Sequence, residues 1–531
     1  MSKIVYFDSF AFVGKRMGSP HYSIYEFEDV DAELRRCGVA GAFLTHTLSR
    51  DYDPVVGNKV LLDKIGARKN YVPCFVLRPD DLGEFPDVER YIQEQGIRAA
   101  RLYPRTQMYA FDEFTCGRIF DTLEHREIPL FIEGGRRFVP SFNQASLEEL
   151  DRVCSAHPRL KIVIQGSRWD GMREVFFLMK KHANILIEFS SQQVNRGIEF
   201  FLDHFGAGRL LFGTQFPSMS VGAARAFLDY SQIKEGEKRL IAGLNLAGLL
   251  KMDLPADVEG GEKDNRILTV VKKGKPLDEF NVIDAHAHIV PEGEHVAYSP
   301  ILYSGASDMS KGDARLGIRK ACISEWLGLW LEHERGNEAT YDAMARFPDH
   351  FIGYGAFDPN FVKDWESLLE KWYVRRRFLG IKPYYPRNEV PYNSQKWDPL
   401  FSFGDKHNLF ALLHPSDNFI KEVDEISVRY PGLRLLLAHS GLNFKHAAEV
   451  SELAKKRSNV FLEITFTDVV DGVIEFMVGQ VGAGKVLFGT DQPMRDASPQ
   501  LGWVAYARIS EEDKIRILGT NMNDILAGTR L

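Results

Sequence analysis

Cysteine is scarce in this chain: five residues, Cys37, Cys74, Cys116, Cys154 and Cys322, odd in number, far apart and without a C-x-x-C pair. That excludes a disulfide framework and a thiolate zinc site, and leaves buried free thiols. Long apolar runs are missing as well. None reaches the roughly 18 residues that a membrane span needs, and the first strand-like segment begins by Ile4, which leaves no room for a signal peptide. Nor is there a surplus of positive charge: 66 Lys and Arg stand interspersed with 73 Asp and Glu, for a net charge of −7. Without a basic stripe, nucleic acid is not an expected partner. These absences predict a soluble, cytoplasmic protein.

What is present is a rhythm. At 531 residues the chain is too long for one ordinary core, and two barrels of about 250 residues would fill it. Short apolar runs alternate with stretches long enough for a helix: KIVYFDSF, GVAGAFLT, YVPCFVL, IRAARLY, IPLFIE, LKIVI, NILIEF and RLLFGT. Eight buried strands separated by helices predict a parallel α/β fold, closed as a (β/α)8 TIM barrel.

The series then begins again with NVIDAHAH, IRKACIS, FIGYGAF, FLGIKPY, LFALLH, LRLLLAH, NVFLEI and KVLFGT. DSFAFV from Asp8 matches DAHAHI from Asp284, GAGRLLFGTQFP from Gly206 matches GAGKVLFGTDQP from Gly482, and IAGLNLAGLL from Ile241 matches ILGTNMNDIL from Ile517, all at an offset of 276. So long a period predicts a tandem duplication of a whole barrel rather than a solenoid. The expected domains are 1–250 and 281–531, with 251–280 as a linker in which NRILTVVKKGKPL looks like a short strand and turn.

In such barrels chemistry sits where strands end. The second half places His286 and His288 on its first strand, His414 after the fifth, His439 after the sixth and Asp491 after the eighth. Side chains two apart on a strand share a face, so His286 and His288 can serve one metal. Four imidazoles and a carboxylate at one face can supply a nitrogen- and oxygen-ligated divalent ion, with one group left for acid-base work.

DAHAH, the histidine after strand five, LLLAHSG and FGTDQP resemble the amidohydrolase superfamily, in particular the branch that includes aminocarboxymuconate semialdehyde decarboxylase, resorcylate-type decarboxylases and dicarboxylate lactonases. The resemblance covers 281–531 by motif and 1–250 by architecture alone. It implies that His286, His288, His414 and Asp491 bind one divalent metal, zinc or else manganese, and that His439 is the catalytic histidine beside it.

At the same places the first half has Phe10 and Phe12, Glu133 and Gln215, and either Gln165 or Gly166 stands for His439. Phenylalanine cannot ligate a cation, so the first barrel is expected to hold no catalytic metal. Asp8 and Asn245 match Asp284 and Asn521, which assigns those pairs to the fold. Lys382, matched by Arg101, is expected to face an anionic substrate. Glu463, matched by Glu188, reads as a structural hydrogen-bonding group, and His446 as a surface or packing residue. The loop from about Ile289 to Leu316, with Glu292, His295, Tyr298 and Tyr303, is the expected substrate-shaping lid.

Two reactions fit this set. In the first, the ion brings the pKa of a bound water toward neutrality, Asp491 holds the proton taken from it and His439 steadies the carbonyl oxygen of a small carboxylated lactone, amide or ester. In the second, the protein is a non-oxidative decarboxylase of an aromatic or unsaturated carboxylic acid, and an acid among Asp491 and His439 protonates the carbon that loses carbon dioxide. The segment TDQP lacks the aromatic residue that follows the aspartate in such decarboxylases, which tilts the expectation toward hydrolysis. The first barrel is expected to stand in for the second protomer of an ancestral homodimer, an internal pseudo-dimer that can itself form homo-oligomers.

Overall fold

The computed structural model describes residues 4–15, 24–79, 85–258, 264–297 and 301–531. The chain divides into two compact units, Met1–Asp264 and Asn265–Leu531. Every apolar run named above carries a strand, and all pairings between neighbouring strands are parallel.

In the second unit, β10 (Val282–Ile289), β11 (Ile318–Glu325), β12 (Phe351–Ala356), β13 (Gly380–Lys382), β14 (Phe410–Leu413), β15 (Arg434–Leu437), β16 (Val460–Glu463) and β17 (Val486–Leu487) pair in chain order as one eight-stranded sheet. The sheet nearly closes: Ala285 N–H donates to Phe488 O at 3.0 Å, and Ala287 bridges Gln492. Ile283, Ala285, Cys322, Tyr354, Phe410 and Leu436, drawn from strands around the sheet, pack into one core. A second core, with Ala287 and Ile289, lies against the helices Ala306–Leu316 and His333–Arg346.

The change of partner along β10 has a cause. The register slips between Asp284 and Ala287, a β-bulge that turns the strand so that Ile283 and Ala285 face the inner core while Ala287 and Ile289 face the helices. His286 and His288 therefore point inward. Buried Asp284 holds the bulge: Oδ1 accepts the N–H groups of His286 at 2.9 Å and Thr490 at 3.1 Å, and Oδ2 accepts the Thr490 hydroxyl.

The first unit repeats this order with a break. Strands β1 (Tyr6–Val13), β2 (Val39–His46) and β3 (Tyr71–Pro73) form a three-stranded sheet, while β4 (Phe75–Val76), β5 (Ala100–Arg101), β6 (Leu130–Glu133), β7 (Ile162–Gln165), β8 (Ile185–Glu188) and β9 (Leu210–Leu211) form one of six. The expected second continuous barrel is thus interrupted at Cys74. Residues up to Cys74 pair with β2 and those from Phe75 pair with β5, as β12 passes from β11 at Gly353 to β13 at Tyr354. Across the other edge Ser9 N–H donates to Phe212 O at 3.0 Å, and Ala11 bridges Phe216.

The linker also differs from its reading. NRILTVV opens with a helix, Arg266–Val271, instead of a strand: Asn265 caps it by accepting the Leu268 N–H at 2.8 Å, and Ile267, Leu268 and Val271 are buried along one side. Arg266 ties it to the second unit through Glu511, Nε to Oε1 at 2.7 Å. The expected lid loop is helical from Ala306 to Leu316. Glu292 pairs with Arg346 at 3.1 Å, and Tyr298 lies outside the described residues.

Candidate metal centre

The strand ends of the second unit bring the predicted residues together. The ring of His286 lies 5.3 Å from that of His288, 5.2 Å from His414 and 5.2 Å from His439, while His414 and His439 are 4.9 Å apart. Two trios of ligand atoms share His286, one with His414 and His439 and one with His288 and Asp491, and within each trio the atoms lie within 4.8 Å of one another. Asp491 Oδ1 stands 3.1 Å from His288 Nε2 and 3.6 Å from His286 Nε2. All are buried except His439, which is partly exposed.

The backbone works for this convergence. Asp491 and His439 both occupy the left-handed region, at φ 57° and 62°, where side chains other than glycine are seldom placed. Asp491 is held there by its N–H, which donates to His286 O at 2.6 Å. Gly489 has no room for a side chain: a Cβ would lie 2.4 Å from Glu463 Oε1 and 2.9 Å from His286 Cβ.

Hydrogen bonds outside the cluster orient the rings. His286 Nδ1 lies 2.9 Å from Glu463 Oε2, and His439 Nδ1 donates to Thr465 O at 2.7 Å, which leaves each Nε2 lone pair toward the centre. His288 Nδ1 meets Ser324 Oγ at 3.0 Å. His414 Nδ1 is buried without a hydrogen-bond partner among the described residues, and the ring of Tyr384 stands 4.8 Å from that of His414. Burial pushes all four imidazoles down from their usual pKa, so they are neutral and able to ligate. Burial also works to raise the Asp491 carboxyl, but Arg495 and His288 outweigh it and hold the group well below the usual carboxylate range. Lys382, expected to face a substrate, lies at the cluster with Nζ 2.9 Å from His286 Nε2, and burial lowers its pKa to about 7.

The first unit shows what this arrangement becomes without ligands. Phe10 and Phe12 pack edge to face at 5.3 Å, and the buried Arg101 guanidinium lies 5.1 and 5.4 Å from their centroids while Nη1 donates to Tyr103 Oη at 3.2 Å. Gly166, not Gln165, is the counterpart of His439: it has φ 65°, and its N–H donates to Glu188 at 3.2 Å as that of His439 donates to Glu463 at 3.3 Å. Asn245 and Asn521 make matching pairs of bonds, to Ala207 O and Leu210 O and to Ala483 O and Val486 O. Another grouping of potential ligands, Glu113, Asp121 and His157, lies away from the strand ends with both acids exposed.

Glu463, read from the sequence as a structural hydrogen-bonding group, makes its bond to His286. Sequence reasoning missed one participant, Arg495. Arg495 donates from Nη1 to Asp491 Oδ2 and from Nε to Thr467 Oγ1 at 2.6 Å. Its signal was available, since the aligned residue at the 276 offset is Met219. His446, in contrast, stacks on Phe419, with ring centroids 6.3 Å apart, as a packing residue.

The chain belongs to the amidohydrolase family, whose model matches residues 16–250 and again 283–523. Kinship of the first half, legible in its sequence by architecture alone, is thus carried by its residues too. Among solved structures, 2,6-dihydroxybenzoate decarboxylase from Rhizobium is 14% identical with a TM-score of 0.39, covering 47% of this chain and 99% of its own. The 5-carboxyvanillate decarboxylase of Sphingomonas paucimobilis is 15% identical with a TM-score of 0.37, covering 47% and 99%. That of Novosphingobium aromaticivorans, solved with manganese, is 17% identical with a TM-score of 0.37, covering 48% and 98%. No curated protein matches the sequence. Among the described residues, no helix is long and apolar enough to cross a membrane.

Proposed function

We propose that the second unit is a metal-dependent enzyme acting on a small carboxylated compound, and that its reaction is non-oxidative decarboxylation. His286, His288, His414 and Asp491 would hold one divalent ion, zinc or manganese. Three neutral imidazoles, one ionised carboxylate and the unpartnered Nδ1 of His414 suit such an ion. When bound, it would chelate substrate oxygens and stabilise negative charge developing beside them.

The Asp491–Arg495 ion pair carries the choice of reaction. Hydrolysis through Asp491 asks this carboxylate to take a proton from water, and a guanidinium on Oδ2 makes it a poor acceptor. Decarboxylation needs no such base. The C–C bond to the carboxylate breaks, carbon dioxide leaves, and the electron pair on carbon takes a proton. Asp491, held ionised, and His439, held neutral, are poor sources of it. Lys382 Nζ stands 2.9 Å from His286 Nε2, and an ion bound at that nitrogen would free it to act as the donor; burial lowers its pKa to about 7.

One feature favours hydrolysis as a second reading: the Nε2 lone pair of neutral His439 could accept the proton of an attacking water. The substrate would then be a small carboxylated lactone, amide or ester. In either reading the first unit shares the origin of the second and lacks its ligands.

The test is a screen of zinc- or manganese-loaded protein against aromatic and unsaturated carboxylates and against lactones, following carbon dioxide and proton release separately. Carbon dioxide released in step with substrate loss is expected. Proton release from lactones without carbon dioxide would replace decarboxylation by hydrolysis, and turnover by metal-loaded D491N would overturn the site assignment.

A further inference from the structure

Arg495 is only partly used by the protein. Its guanidinium is buried, 5% exposed, and lies 5.7 Å from the centroid of Phe466. Nε donates to Thr467 Oγ1, and Nη1 donates to Asp491 Oδ2 alone, because Oδ1 of that carboxylate faces His288. Nη2 has no hydrogen-bond partner among the described residues. An arginine offers five N–H donors in a planar fork that fits carboxylate oxygens two at a time, and Nη2, which is not among the fully buried unpartnered atoms, is within reach of a ligand. A guanidinium gripping one oxygen, with its other nitrogen open beside a metal centre, has the chemistry to take a second carboxylate.

The two copies place this residue in the working set. Asp284, Glu463, Thr490 and Asn521 are kept in the first unit as Asp8, Glu188, Thr214 and Asn245, with the same hydrogen bonds where they serve the frame. Arg495 is replaced by Met219, just as His286, His288 and Asp491 are replaced by Phe10, Phe12 and Gln215. The other buried basic side chain, Lys382, meets His286 and is the proton donor of the proposed reaction. Arg495 is the cation beside the cluster that is left with an open nitrogen.

We infer that Arg495 binds the carboxylate of the substrate through Nη2, and that this contact makes the site select carboxylic acids over their amides. The inference rests on the metal-dependent reading of the second unit.

Manganese equivalents are first measured on wild type, R495M and R495K. Each protein is then titrated calorimetrically with 2-hydroxybenzoate and with cis,cis-muconate, each against its amide. In the wild type, at least one acid should bind ten or more times tighter than its amide. R495M should lose that preference, with acid affinity falling about tenfold or more and amide affinity unchanged, while R495K recovers part of it. Methionine fits the aligned place in the first unit, and R495K keeps the charge if R495M is unstable. Equal weakening of acid and amide, an unchanged preference in R495M, or a metal-loaded wild type without preference would overturn the inference alone. Loss of the ion from R495M would show that the arginine acts only through Asp491, which also overturns it. A wild type that holds no ion would remove the metal reading and this inference together.

Discussion

Glu463 reaches across from the end of β16 to the first ligand strand, its Oε2 2.9 Å from Nδ1 of His286. In the first unit the same glutamate, Glu188, has Phe10 in place of that imidazole and is satisfied by the N–H groups of Gly166 and Ser190 and the Ser190 hydroxyl. One framework carboxylate thus gains a second duty wherever a histidine stands opposite. E463Q should weaken metal affinity about 10- to 100-fold, the usual cost of losing a ligand's outer partner, with the fold intact. Chelator competition measures it; unchanged affinity would return Glu463 to a purely structural role.

Gly489 gives an independent handle on the same contact. In G489A the added Cβ must displace Glu463 or His286, so metal affinity should fall at least tenfold and stability by about 1 to 3 kcal/mol. Denaturant titration with and without metal separates the two effects.

The first unit supplies a recipe for disarming the second. H286F/H288F/K382R imports Phe10, Phe12 and Arg101, which pack together where ligands would stand. Tightly bound metal should drop from one equivalent to none while the circular dichroism spectrum is kept. Retention of the ion would place the centre elsewhere.

The reverse exchange should fail. F10H/F12H restores two imidazoles, but Glu133, Gly166, Gln215 and the Arg101 guanidinium remain, and a buried cation repels a metal ion. Metal content by mass spectrometry should stay at one equivalent per chain.

A pH dependence follows from two acids of the first unit. Burial raises Asp8 to about 6 and Glu188 to about 7. Between their usual values, 3.8 and 4.5, and these raised ones, the folded state holds protons that the unfolded state has released. Their contribution is complete below pH 4 and is lost as pH rises to about 7, on the order of 1 to 3 kcal/mol for Glu188. Urea unfolding at pH 4.5 and 7.5 should show a smaller decline in E188Q than in the wild type.

Much of this protein could be read without coordinates, because apolar strand runs and their polar ends are local patterns. The sixteen runs, the offset of 276 and the exchange of His286 and His288 for phenylalanines all lie in the order of residues. The helix at Arg266–Val271 was misread because β-branched residues suggest a strand, while the Asn265 cap and one-sided burial decide for a helix.

What the chain determined by itself is therefore the repeated strand pattern and the set of chemical groups at each strand end. Tertiary structure decided how those groups meet: the bulge that turns His286 and His288 inward, the break at Cys74, the left-handed Asp491 and His439, and the guanidinium of Arg495 on Asp491. Glu463 and His286 are 177 residues apart. No local periodicity carries such a contact, and only closure of the strands into one sheet sets its distance.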